Sequence, residues 1–79
     1  MPEFDEEGNK YDELKKMANI ATDLQLSGKM RIQAINLLGD MATHESLLVL
    51  LNLAANDKLH IDERDLALKR AREIVKKGR

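Results

Sequence analysis

His44, Glu45, His60 and Asp62 are the side chains whose types could hold a metal or move a proton. A zinc or acid/base centre needs its ligands close together on one face, as two histidines at i and i+4 of a helix provide. His44-Glu45 and His60-Ile-Asp62 lack that spacing and read as surface or cap residues. Cysteine is absent, which excludes thiolate metal sites and a disulfide framework. No Gly-rich phosphate loop, Ser/His/Asp order or isolated carboxylate pair is present, so nucleophilic and phosphoryl-transfer chemistry find no support. The expectation is a non-enzyme without cofactor or metal.

Charge distribution says more than any single residue. The chain of 79 residues has a formal net charge of −1, but its ends differ in sign. Glu3, Asp5, Glu6, Glu7, Asp12 and Glu13 crowd the start, whereas Lys69, Arg70, Arg72, Lys76, Lys77 and Arg79 crowd the end. Cations in a last helical turn favour the helix dipole and can simply be a solvated face. They can also bind phosphates or an acidic partner, with the acidic start competing in cis or reaching a second copy. Lys69, Arg70, Arg72, Lys76 and Lys77 are therefore the candidate partner-binding residues. With only Phe4 and Tyr11 as aromatics, base stacking has little to work with, so nucleic acid ranks below a protein partner.

These residues must be placed by helices. Ala, Leu, Glu, Lys, Arg, Met and Gln outnumber Val, Ile and Thr about five to one, and no alternating run of strand length occurs. Residues 1–9 lack periodicity and read as an acidic flexible tail, with Asn9 as the first cap. From Tyr11 to Leu24, apolar residues recur at threes and fours; a second helix follows the cap Ser27. A third, from about Thr43 to Asn56, has leucines nearly all round and is expected to be the most buried and the centre of the core. The fourth carries Leu66, Ala67, Leu68, Ala71, Ile74 and Val75. No segment approaches the apolar length of a membrane span, and the start lacks the pattern of a secretory signal, so the cytoplasm is expected.

Sliding the chain against itself by 33 residues superposes Leu14 on Leu47, Asn19 on Asn52, Ala21 on Ala54, Leu26 on Leu59, Arg31 on Arg64 and Ala34 on Ala67. One gapless offset covers two helices and their turn. The expected architecture is all-α: four helices as two tandem helix-pair units, 10–42 and 43–75, within a domain spanning 10–79. Short joints make neighbouring helices antiparallel, as an open α–α stack or a closed four-helix bundle.

Arg31-Ile-Gln-Ala34-Ile-Asn-Leu-Leu38-Gly39-Asp40, followed by Glu45-Ser-Leu47-Leu48-Val-Leu-Leu51, resembles HEAT-like repeats. Arg64-Asp-Leu-Ala67-Leu68-Lys-Arg-Ala71 repeats the pattern, with Arg72 where the glycine would be. Asp23 followed by Arg31, and Asp57 followed by Arg64, are also similar to a short, functionally uncharacterised archaeal helical family. The HEAT-like resemblance implies a structural role for Asp23, Arg31, Asp57 and Arg64, a carboxylate–guanidinium bond bracing each turn. Ligand contact is the alternative. Asn19 and Asn52 recur as well, with amides suited to a neighbouring helix backbone or to a partner.

Stacked helix pairs offer extended surfaces, and two units fall short of the three or more that such arrays usually need. The functional expectation is a non-catalytic protein–protein interaction or scaffold module, with a protein partner of unknown identity and a weak homodimer. The alternative is a nucleic-acid-associated accessory protein that binds phosphates through the basic last helix.

Overall fold

The computed structural model describes residues 6–78, with side chains from residue 12 onward. Four helices follow one another: α1 Glu6–Thr22, α2 Gly28–Met41, α3 His44–Ala54 and α4 Ile61–Lys77. Helix α1 begins earlier than apolar periodicity indicates, so Asn9 lies inside it and does not cap it. Its first residues are Glu6 and Glu7, which belong to no apolar periodicity in the sequence. The expected tail boundary at residue 9 therefore moves back, and residues 1–5 lie outside the described residues.

The caps follow local chemistry. Ser27 accepts from the Met30 amide at 3.2 Å and starts α2. Thr43 starts α3 with a reciprocal box, Thr43 Oγ1 accepting from the Ser46 amide at 3.0 Å and Ser46 Oγ from the Thr43 amide at 2.9 Å. Between them Ala42 takes φ 52°, a left-handed conformation in which an alanine's Cβ crowds the following carbonyl oxygen, and the chain reverses in two residues.

Helices α1 and α2 form one hairpin and α3 and α4 the second. Across them α1 meets α3 and α2 meets both α4 and α3, while α1 and α4 do not approach one another among the described residues. The two hairpins therefore pack on each other as an all-α helical bundle in two layers, α1/α3 and α2/α4, 41 × 36 × 17 Å. Among the described residues no helix is long and apolar enough to cross a membrane.

The core runs through Leu14, Ala21, Ala34, Ile35, Leu38, Leu50, Leu53, Leu59, Ala67, Ala71 and Ile74. Each fully buried Leu or Ile contributes about 1.5–3 kcal/mol by leaving water. Helices α2 and α3 each touch all three others, but α2 buries Arg31, Ala34, Ile35, Leu38 and Gly39 whereas α3 buries only Ser46, Leu50 and Leu53, so α2 is the centre and not α3 as its leucine content suggests. In α3 Leu50 and Leu53 are buried but Leu48 and Leu51 are 49% and 43% exposed. The reason is geometric: among the described residues no helix packs on the outer flank of α3.

The turns inside the two hairpins match atom for atom. Asp23 Oδ1 accepts from the Gln25 amide at 2.9 Å and Asn56 Oδ1 from the Lys58 amide at 3.0 Å. The Leu26 and Leu59 amides close each turn onto the Asp23 and Asn56 carbonyls. These pairs are 33 residues apart, and each is a side-chain-stabilised turn of the kind Asp and Asn favour.

Candidate functional site

Arg31 and Glu63 join the two hairpins at the first turns of α2 and α4. Arg31 Nε donates to Glu63 Oε1 at 2.9 Å and Nη2 to Oε2 at 3.0 Å, a two-pronged pair in which both side chains are buried. Arg31 Nη1 donates to the carbonyls of Leu26 at 2.6 Å and Asp23 at 3.2 Å. One guanidinium thus ties the first turn to both hairpins. The hydrogen bonds to Glu63 raise the Arg31 pKa above its ordinary value against the opposing effect of burial, and the charges of Glu63 and Asp23 add to the rise.

This is not the brace expected from spacing. Asp23 meets Arg31 through its carbonyl, while its carboxylate holds the Gln25 amide. In the second unit the residue equivalent to Asp23 is Asn56, not Asp57, which is exposed. Arg64 Nε donates to the Ala54 carbonyl at 3.3 Å, tying α4 to the end of α3 without a carboxylate. Glu63 was legible in principle: it occupies a core-facing position of α4, with Ala67, Ala71 and Ile74, just as Arg31 does in α2 with Ile35 and Leu38. Opposite charges in two apolar stripes mark a buried pair.

Arg70 forms a second link one to two turns further along. Nη1 donates to Asn36 Oδ1 at 2.7 Å and Nη2 to Asp40 Oδ1 at 2.8 Å. Glu73 Oε1 lies 2.9 Å from Nε but off the line of the N–H, so it supplies charge and leaves that buried donor without a hydrogen bond. The guanidinium lies over Gly39, where a Cβ would stand 2.5 Å from Arg70 Cζ. Of the five cations expected to face a partner, Arg70 is therefore engaged inside the fold, and Lys69, Arg72, Lys76 and Lys77 are exposed.

The remaining polar candidates are dispersed. His44 and His60 sit at the starts of α3 and α4, at opposite ends of the second hairpin. Among the described residues no three His, Asp or Glu side chains converge as a metal site would require. Asn19 and Asn52 are exposed and line a hollow of about 250 Å³ between α1 and α3. Neither amide reaches the backbone of a neighbouring helix among the described residues.

One exposed feature is apolar. Ile61, Leu68 and Val75, 61%, 36% and 53% exposed, lie seven residues apart along one line of α4. That line faces away from α2, because Glu63, Ala67, Arg70 and Ala71 occupy the side of α4 that α2 covers. Leu48 and Leu51 extend the surface onto α3. Lys69, Arg72 and Lys76 border it. Leu68 and Val75 share α4 with the buried Ala67, Ala71 and Ile74, but they lie on the flank that no described helix covers.

Comparison with known proteins yields no match: no family model fits the chain, and neither a curated protein nor a solved structure is significantly similar to it.

Proposed function

We propose that this chain is a small HEAT-like, non-catalytic interaction or scaffold module of the cytoplasm, and that the outer face of the α3–α4 hairpin is its binding surface. The observation that carries the reading is the group Leu48, Leu51, Ile61, Leu68 and Val75, exposed together on that side of the molecule. Contiguous apolar surface rimmed by charge is the usual mark of a protein contact. Lys69, Arg72 and Lys76 form the rim on α4 and favour a partner with carboxylates beside its apolar seam.

The same cations support a second reading, phosphate contact with nucleic acid, which predicts steeply salt-dependent binding with little sequence preference. A tagged pull-down from source-cell lysate, with and without nuclease, separates the two. The expected result is a protein that survives nuclease and is lost when Leu51→Asp and Leu68→Asp are combined in a chain that still melts cooperatively. Recovery that disappears with nuclease, or that ignores the two substitutions, overturns the interaction reading.

A further inference from the structure

The geometry points to a second copy of this chain as the occupant of the α3–α4 face, docked through a twofold axis with each α4 antiparallel to the other. The inference rests on the reading of that face as a protein-binding surface and names what binds there. It follows from the order of residues along the face. With Leu68 against Leu68 of the second copy, antiparallel α4 helices bring Ile61 against Val75 and Val75 against Ile61. Asp65 and Arg72 flank the line at equivalent positions, each four residues after an apolar contact. In the antiparallel pair they come opposite one another, Asp65 to Arg72 and Arg72 to Asp65. Charge pairs at such flanking positions set orientation and partner choice.

Helix α3 fits the same axis. Arg64 bonds the Ala54 carbonyl near one end of the hairpin, and Leu47 shares a hollow with Ile74 and Val75 near the other. Interpolation puts Leu51 at the level of Leu68. An axis through both residues, crossing the two helices, lays α3 on α3 and α4 on α4, each antiparallel, with Leu51 and Leu68 at the centre. The same patch serves both copies, which gives a closed dimer.

A head-to-tail stack, in which the first unit of another copy covers this face, lacks that complementarity. At the internal junction Glu63 meets Arg31, and Arg70 lies over Gly39. Thirty-three residues earlier or later, Met30 stands for Glu63, Leu37 for Arg70 and Arg72 for Gly39. Neither the buried ion pair nor the glycine slot would be rebuilt.

Sedimentation equilibrium of the full chain from micromolar to millimolar concentration tests this, with Asp65→Arg, Arg72→Asp and the double exchange. The expected result is a concentration-dependent dimer whose dissociation constant rises about tenfold or more in each single variant. The double exchange should restore it, and an equimolar mixture of the two single variants should associate, because each copy then carries the charge the other lacks. A monomer at every concentration overturns the dimer but leaves a different protein partner on the same face. A dimer that both single variants leave unchanged places the contact elsewhere.

Discussion

Arg31 of α2 and Glu63 of α4 hold each other by two parallel hydrogen bonds, at 2.9 and 3.0 Å, inside the junction of the two helix pairs. The pair fixes the register of one hairpin on the other, because Arg31 also holds the carbonyls of its own turn. Removing one member leaves the other buried and uncompensated. Glu63→Leu should therefore lower the melting temperature by more than about 10 °C, whereas the double change Arg31→Met with Glu63→Leu should recover part of that loss. Thermal unfolding followed by circular dichroism checks both. The sign of the pH dependence follows from the raised Arg31 pKa: its contribution is present in full below the ordinary arginine value and fades only as pH rises through the higher folded-state value.

Gly39 and Arg70 form a lock in which a methyl group is excluded. Alanine is the better helix former by about 1 kcal/mol, yet Gly39→Ala would push the guanidinium off Asn36 and Asp40. The expected outcome is a net loss of about 1 kcal/mol in the natural background and a gain of similar size when Arg70→Ala is already present. Urea titration of the four-member cycle measures this reversal of sign.

How much of this could be read from residue order differs by element. The helix count, Ser27 and Thr43 at helix starts, and the 33-residue spacing are local signals, and each has a local physical cause in capping or turn chemistry. The burial of α3 is not local, because periodicity reports which residues are apolar and not whether another helix covers them; Leu48 and Leu51 have a core signature and are exposed. Arg70 has the local signature of a surface cation, because its partners Asn36 and Asp40 lie on another helix. Early Glu6 and Glu7 concealed the start of α1 for the opposite reason, being helix-compatible without any apolar signature.

Neighbouring leucines of α3 should respond very differently to truncation. Leu50 is fully buried and Leu48 is half exposed. Leu50→Ala is expected to cost about 2–5 kcal/mol through lost contacts and a cavity, and Leu48→Ala no more than about 0.5 kcal/mol in the monomer. Denaturant unfolding at low protein concentration compares them.

Ala42 stores removable strain between α2 and α3. Its left-handed backbone is one that glycine adopts without a Cβ penalty. Ala42→Gly should stabilise the protein by about 0.5–1 kcal/mol, while Thr43→Ala, one residue on, should destabilise it by about 1 kcal/mol through loss of the cap. Opposite shifts of the urea midpoint from adjacent positions are the expected signature.

The proposed interacting face is the outer side of α3–α4, and the opposite side of the molecule carries exposed Met30 and Leu37 as its alternative. The chain has no cysteine, so single introduced thiols report on one position at a time. Leu68→Cys and Met30→Cys, each oxidised in dilute solution and separated without reductant, give the most direct measurement. The account predicts a rapid disulfide-linked dimer from Leu68→Cys and little from Met30→Cys; efficient linkage through Met30→Cys with none through Leu68→Cys would contradict it.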